Sequence, residues 1–294
     1  YITEEADAAD TETDHVIKYY GEIQTTTGTL TVTKTVSGLE GTDTLPNGFA
    51  IAVTGPNGYS NSLTINDDTS TTTNEDGSTT YTWEITGVPA GKYTATEENY
   101  TVSGYAHSGT TTDTETLAAG GTAELELTNS YTKQYTVTVT VVNGSVTGDN
   151  LGEDTNAYED TETYVITVDA GAAPSYTFSA DDGYALDDVV VNDIPFAVEN
   201  RENYGTYVFE PIYSDQTIVV TYGKDSIGPD GPDGIPDSHQ AIVTYKVENG
   251  TFGADTTTTE LSYVVTTDTY SNGVWTSANK HIGDSECPIP TNMV

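Results

Sequence analysis

The stretch TLTVTKTV, residues 29–36, alternates strictly between two kinds of side chain. Successive side chains of a β-strand point to opposite faces, so Leu30, Val32 and Val36 share one face and the four threonines share the other. Lys34 falls on the apolar face. A buried ammonium group without a partner is costly, and the chain has only seven lysines. The pattern therefore predicts a strand whose lysine is paired, shifted in pKa or chemically altered.

Two later stretches with the same alternation each send one polar side chain to the apolar face. In KYTATEENY, residues 92–100, Glu97 shares its face with a tyrosine and an alanine. In AELELTNSY, residues 123–131, Asn129 shares its face with two leucines. We therefore expect a single core to receive Lys34, Glu97 and Asn129.

These three side chains are suitable reactants for an amide cross-link. An amine attacks a carboxamide only when it is neutral, and burial lowers the pKa of a lysine. A buried carboxyl group can polarise the amide and carry protons to the departing ammonia. Lys34 would then be the nucleophile, Asn129 the electrophile and Glu97 the proton shuttle. Alternatively, Lys34 and Glu97 form an ordinary buried ion pair, and Asn129 hydrogen-bonds nearby.

The charge of the chain excludes two classes of partner. It has 46 acidic and 8 basic residues, which give a formal net charge of −38. Contacts with nucleic-acid phosphates need clustered lysine and arginine, and anionic membrane surfaces attract the same residues. We therefore expect no nucleic-acid partner and no direct membrane binding.

The sequence carries no signature of an enzyme. The single cysteine, Cys287, excludes an internal disulfide framework. The four histidines have no ligand spacing, and hydrolase, metalloprotease and phosphate-loop motifs are absent. No apolar run has the length of a membrane helix. Because the chain has no initiating methionine, secretory signal or anchoring tail, we expect it to be part of a longer, exported protein.

Short strands separated by turns, without helical periodicity, predict an all-β chain of tandem modules. The expected order is the end of a preceding domain or a linker at 1–27, a β-sandwich at 28–132, a β module at 134–223, a Pro/Gly/Asp linker at 224–239 and a truncated second β module at 240–294.

A repeat predicts the last two modules. QYTVTVTVVNGSV at 134–146 matches QAIVTYKVENGTF at 240–252 at a constant offset of 106 residues. Repetition of this kind is typical of a modular array. The region 134–223 contains no lysine, and Lys246 should face solvent by its parity, so neither module is expected to repeat the cross-link chemistry.

The linker contains a second candidate site. Asp230, Asp233 and Asp237 lie in PDGPDGIPD, and closely spaced acidic oxygens with glycine turns are suitable ligands for Ca²⁺. The spacing differs from that of the EF-hand loop. The alternative is a stiff, charged linker, because proline limits flexibility.

Residues 28–132 resemble the collagen-adhesin B-type (Cna-B-like) domains of Gram-positive surface proteins and pilins. The resemblance rests on TLTVTKTV at the start, GKYTATEENYTVSGY in the middle and AELELTNSY at the end. The positions of the family pattern fall on Lys34, Tyr93, Glu97, Gly104, Tyr105 and Asn129. The lysine, glutamate and asparagine of this family make a spontaneous intramolecular isopeptide bond, so the resemblance implies that bond here. The Ala-Pro pair that usually follows the glutamate strand is absent.

Residues 134–223 and 240–294 resemble divergent internalin-type B-repeats, which are small β-rich modules, often β-grasp-like, of long bacterial surface proteins. The two resemblances imply a structural stalk or spacer of a cell-surface adhesin or pilus-like protein. Such a protein is extracellular, either secreted or attached to the cell wall through an anchor outside this sequence. Its ligand would be an unknown host protein or glycan.

Two other functions stay open on the sequence. The chain can be a ligand-binding adhesive module that holds a glycan or host protein on a tyrosine-rich β surface. It can also be an accessory region of a secreted carbohydrate-active enzyme whose catalytic domain lies elsewhere.

Overall fold

The computed structural model describes residues 26–66, 69–156, 158–201, 204–228, 231–253, 257–281, 283–286 and 288–290. These residues form β-strands joined by turns and two short 3-10 helices, which confirms the predicted all-β class with tandem units. The chain divides into two compact units between Lys133 and Gln134. No described helix is long and apolar enough to cross a membrane. Cys287 and nearly all of the predicted leading segment, 1–27, lie outside the described residues.

The first unit is built from eight complete strands and the start of a ninth, counted over its described residues. They are β1 (Thr27–Ser37), β2 (Ala50–Thr54), β3 (Ser60–Leu63), β4 (Ser70–Thr73), β5 (Thr79–Pro89), β6 (Gly91–Glu98), β7 (Tyr105–Thr110), β8 (Thr112–Leu117) and the first part of β9 (Thr122–Val142). A short 3-10 helix, Pro56–Gly58, lies between β2 and β3.

These strands form two sheets. One has the order β7-β9-β1-β5-β4 and the other β3-β2-β6-β8. In the first sheet, β1 is antiparallel to β5 and parallel to β9. The register of the parallel pair sets Lys34 beside Leu127 and Val36 beside Asn129. The first and last described strands of the unit are therefore direct neighbours.

The inward faces of the two sheets share one apolar core, as in a β-sandwich. Leu30 and Val32 come from β1, Tyr93 and Ala95 from β6, and Leu127 from β9. All of these side chains are buried, and burial of a large apolar side chain contributes about 1.5–3 kcal/mol. The alternation read from the sequence thus becomes the inside and outside of the sandwich.

One segment differs from its sequence-based prediction. The polar run between residues 66 and 78 suggests a loop, but Ser70–Thr73 forms β4 and pairs with β5. The run is rich in threonine, a β-branched residue that favours strands. All four side chains of β4 are exposed. Polarity marks the exposure of this segment and says nothing of its secondary structure.

The second unit takes up the rest of the chain. Its strands are the later part of β9, β10 (Gly144–Gly148), β11 (Thr161–Asp169), β12 (Ser175–Ala180), β13 (Tyr184–Val191), β14 (Ile194–Pro195), β15 (Thr206–Val208), β16 (Gln216–Lys224), β17 (Gln240–Lys246), β18 (Glu260–Thr266), β19 (Asp268–Ser271) and β20 (Val274–Ser277). A 3-10 helix, Asp237–His239, precedes β17.

The later part of β9 organises this unit. It pairs antiparallel with β11 and parallel with β16, which in turn pairs with β13. A separate sheet has the order β10-β12-β15, and two hairpins are formed by β17 with β18 and β19 with β20. Val137, Val139 and Val141 of β9 are fully buried in the core with Tyr176 and Ile218.

Both halves of the sequence repeat have an asparagine in the left-handed backbone region at the matching position. Asn143 has φ 55° and Asn249 has φ 62°. Asparagine is one of the few residues that adopt this left-handed conformation readily, and an Asn-Gly pair is a strong turn signal.

The predicted linker 224–239 and the predicted module 240–294 lie in the same compact unit as 134–223, and the borders between them stay predictions.

Candidate functional site

Lys34 is held by β1 on the core face of the first unit. Its side chain is 0% exposed, and its Nζ lies 2.6 Å from Oε1 of Glu97, whose side chain is also 0% exposed. Among the described residues, neither of these two atoms has another polar partner. Burial lowers the pKa of Lys34 from 10.5 to about 8, while the hydrogen bond and the charge of Glu97 offset part of this lowering.

Glu97 reaches this position from the opposite sheet. It lies on β6, where its neighbour across the strand pair is Ile51 of β2. While Oε1 faces Lys34, Oε2 accepts a hydrogen bond of 2.8 Å from Nδ2 of Asn129. One buried carboxylate therefore contacts both the lysine nitrogen and the asparagine nitrogen.

Asn129 is fixed on β9 by a polar network. Its Nδ2 also donates to the Tyr131 hydroxyl at 3.2 Å, and that hydroxyl donates to the carbonyl oxygen of Tyr100 at 2.6 Å. Burial raises the pKa of Tyr131 to about 12, so the hydroxyl keeps its proton at neutral pH. Both hydrogens of the Asn129 amide are thus directed toward acceptors.

The carbonyl side of Asn129 faces His107. The Nε2 atom of His107 lies 2.7 Å from Oδ1 of Asn129. The imidazole ring packs against two aromatic rings, with centroid distances of 4.7 Å to Tyr100 and 5.5 Å to Tyr131. Together with Lys34 and Glu97, these residues form the network that we call the Lys34 site.

The Lys34 site thus unites all three residues singled out by strand parity, and it contains two that sequence reasoning missed. Tyr131 shares the parity of Asn129 in AELELTNSY, so the alternation could have identified it. His107 lies beside Tyr131 in the antiparallel pair of β7 with β9. Only that register brings it to Asn129, and no spacing in the sequence reports it.

Gly109 allows β7 to approach β9 closely at this site. It lies beside Asn129 in the strand pair and has φ +140°. A Cβ atom at this position would lie 2.0 Å from the carbonyl oxygen of Thr128, far inside van der Waals contact. The glycine is therefore required by the local backbone that positions His107.

The predicted calcium ligands have other partners where they are described. Asp233 accepts hydrogen bonds from the backbone of Ile235 and from Gln240, and Asp237 accepts from Ser226 and Ile227. Asp230 lies outside the described residues. Within the described part of the chain, no group of three or more His, Cys, Asp or Glu side chains is placed to hold a metal. The calcium site stays a prediction.

The second unit contains a different polar cluster around His239. Its Nε2 lies 2.8 Å from Asp187 and its Nδ1 lies 2.8 Å from Asp268. The ring stacks on Trp275 at 3.8 Å, and the guanidinium group of Arg201 lies 4.3 Å from the same ring. The cluster connects β13, the 3-10 helix before β17, β19 and β20.

Comparison with known protein families identifies one match. The model of a domain of unknown function, DUF5979, matches residues 30–132, about a third of the chain. No curated protein matches the sequence. The matched segment coincides with the sandwich that contains the Lys34 site.

Solved structures similar to this chain include pilins of Gram-positive bacteria. The Bacillus anthracis TIE protein is 17% identical with a TM-score of 0.28, and the match covers 86% of this chain and 47% of that one. The streptococcal ancillary pilin is 12% identical with a TM-score of 0.26 and coverage of 72% and 67%. The shaft pilin SpaA of Lactobacillus rhamnosus GG is 13% identical with a TM-score of 0.24 and coverage of 69% and 100%.

The chain spans about half the length of the Bacillus anthracis protein that it matches. Similarity at these TM-scores carries no conclusion about activity, so a function for this chain has to be argued from its own side chains.

Proposed function

We propose that this chain is part of the stalk of an extracellular bacterial surface protein, and that Lys34 and Asn129 become joined by an isopeptide bond with Glu97 as proton shuttle. One observation carries the proposal. The Glu97 carboxylate contacts the nitrogen that would attack, Nζ of Lys34, and the nitrogen that would leave, Nδ2 of Asn129. A shuttle needs contact with both.

The environment of Lys34 supplies the reactive form of the amine. With the pKa lowered from 10.5 to about 8, the neutral fraction at pH 7 rises from roughly 1 in 3,000 to roughly 1 in 10. The neutral amine attacks Cγ of Asn129, and the electron pair of the carbonyl moves to Oδ1. Glu97 takes a proton from the attacking nitrogen and gives it to Nδ2. The C–N bond to Nδ2 then breaks, ammonia leaves, and an amide joins the two side chains.

The same burial protects the reaction from water. The side chains of Lys34 and Glu97 are both 0% exposed, and Asn129 is 2% exposed. Because these three side chains are buried, water that could hydrolyse the asparagine amide has little access to it. Exclusion of water also strengthens the electrostatic contacts of Glu97, because the effective dielectric constant is low.

The position of the cross-link fits a module under tension. Among the described residues of the unit, β1 is the first strand and β9 is the last, and these two strands are parallel neighbours. A force applied to both ends therefore acts along this strand pair. A covalent bond between Lys34 on β1 and Asn129 on β9 would transmit the force directly and leave the other strands unloaded.

Single-molecule force spectroscopy of the full chain tests this function. The segment from Lys34 to Asn129 spans about 95 residues, which would extend by roughly 330 Å when unfolded. Wild-type protein should never release this length, whereas the Glu97→Gln variant, which lacks the shuttle, should release it in one event. Release of the full length by wild-type protein would contradict the proposal.

Cell-wall attachment and a host-protein or glycan ligand rest on the family resemblance alone and stay predictions. The ligand-binding and carbohydrate-active-enzyme alternatives likewise stay open.

A further inference from the structure

The carbonyl oxygen of Asn129 is the atom that becomes negatively charged during amide exchange. When the lysine attacks Cγ, the π electrons of the carbonyl group collect on Oδ1. Donors placed at such an oxygen stabilise the tetrahedral intermediate, and loss of one donor typically slows a reaction by about 10²–10³-fold. The identity of the donor at Oδ1 is therefore a chemical question separate from the proton shuttle.

Glu97 does not fill this role in the described geometry. Its two oxygens are committed to nitrogens, Oε1 to Lys34 and Oε2 to Nδ2 of Asn129. The hydroxyl of Tyr131 also lies on the nitrogen side of the amide, where it accepts from Nδ2. The contact at 2.7 Å from Nε2 of His107 is directed to Oδ1.

The direction of the hydrogen in this contact follows from the network. The Glu97 carboxylate can only accept, so it requires the NH₂ group of Asn129 on its side. That choice turns Oδ1 toward His107. A carbonyl oxygen has no hydrogen to offer, so Nε2 must carry one and donate it. Both the neutral Nε2–H tautomer and the imidazolium ion satisfy this condition.

We propose that His107 is a catalytic residue of the cross-linking reaction, the donor that stabilises the oxyanion on Oδ1 of Asn129. This inference rests on the proposed isopeptide chemistry and divides it between two groups. Glu97 moves the proton between the two nitrogens, and His107 holds the charge on the oxygen. No atom of His107 is gained or lost in the reaction.

The surroundings of His107 hold the donor in place before the reaction. Its ring lies against Tyr100 and Tyr131, and the Tyr131 hydroxyl is bonded to the carbonyl oxygen of Tyr100. Gly109 brings the strand close enough for the contact with Asn129. A donor that is already aligned needs no reorganisation when the charge forms, which is the source of its catalytic effect.

The test measures the rate of cross-linking in the full chain. The protein is made in a brief cell-free synthesis pulse, translation is stopped, and the fraction that has lost ammonia is followed by intact mass. Three variants are compared with wild type. His107→Gln keeps an N–H donor, His107→Met removes it at similar size, and His107→Phe removes it while keeping a ring for stacking.

The expected result is slowing by about 10²–10³-fold in the Met and Phe variants and by less than about tenfold in the Gln variant. The final extent of linkage should still be complete, because Glu97 is intact. Each substitution is also placed in a Lys34→Ala background, where circular dichroism and unfolding show whether the fold is preserved without the link. Using two donor-free variants keeps the test decisive if one of them does not fold.

A folded Met or Phe variant that links at the wild-type rate would overturn the role of His107. A wild-type chain that never loses ammonia would instead overturn the isopeptide proposal itself. The two failures are therefore distinguishable in one experiment.

Discussion

Replacing Lys34 by methionine and Glu97 by glutamine in the same protein removes the cross-link without leaving a buried charge unpaired. The loop that the bond would close, from Lys34 to Asn129, spans about 95 residues, and closing a loop of this length is worth about 4.7 kcal/mol in the chain-entropy model. Exchange of a buried ion pair for neutral side chains of similar volume is itself often close to neutral. The double variant should therefore lose about 4–5 kcal/mol of unfolding free energy in the first unit.

This loss is large enough to measure by thermal unfolding. For a domain of this size, 1 kcal/mol corresponds to about 4–8 °C in the midpoint, so the double variant should unfold roughly 15–40 °C below wild type. The chain has two tryptophans, Trp83 in the first unit and Trp275 in the second. A Trp275→Phe background makes tryptophan fluorescence report on the first unit alone.

Two single variants act as controls for the double variant. Glu97→Gln alone should be less stable than the double variant, because it leaves the ammonium group of Lys34 buried without its partner, at a cost of about 3–5 kcal/mol. Lys34→Met alone leaves the carboxylate of Glu97 buried without its partner. A double variant that unfolds within a few degrees of wild type would refute the reasoning, since the triad would then contribute only as a polar cluster.

Three further predictions concern rate and stability. The cross-linking rate should rise about tenfold per pH unit below the Lys34 pKa of about 8 and level off above it, because the neutral amine is the nucleophile. A cross-linking rate, measured by pulse synthesis, that does not change from pH 6 to 8 would contradict this prediction. In denaturant titrations, Gly109→Ala should lower the stability of the first unit by more than about 1 kcal/mol, because the new Cβ atom would lie 2.0 Å from a backbone oxygen. The control Gly77→Asn should change stability little, because Gly77 has φ +82° and no neighbouring atom within contact distance. His239→Ala should destabilise the second unit by about 1–3 kcal/mol, because it removes the two contacts of His239 with carboxylates. His281→Ala, at an exposed position, is the matched control, and an equal loss of stability in both variants would rule out the structural role of the His239 cluster.

Strand parity is the property of the sequence that predicts most of the candidate site. An alternating pattern has only two faces, so a polar residue among apolar neighbours of the same parity has to enter the core or shift the register. This reasoning singled out Lys34, Glu97 and Asn129 without any knowledge of which strands pair. The fold class followed from the same alternation, together with the turn residues between the strands.

The rest of the site depends on pairing between distant strands, which parity does not determine. His107 stands in a short strand with polar neighbours, and its role depends on the register that sets it beside Tyr131. The close approach of these two strands depends on Gly109, because a Cβ atom there would overlap the carbonyl oxygen of Thr128. In the second unit, His239 contacts Asp187, which is 52 residues away in the sequence. Local sequence patterns do not predict a contact between residues so far apart.

Intact mass spectrometry of the full chain, beside its Lys34→Ala and Glu97→Ala variants, tests the isopeptide proposal most directly. Wild-type protein should be lighter than its calculated mass by one ammonia, and both variants should have their full calculated masses. Succinimide formation at the Asn-Gly pairs also loses ammonia, but it would occur equally in all three proteins. Proteolysis and fragmentation should locate the wild-type loss in a branched peptide that joins Lys34 to Asn129. A wild-type protein of full mass would contradict the proposal and leave the three side chains as a buried ion pair with a hydrogen-bonded asparagine.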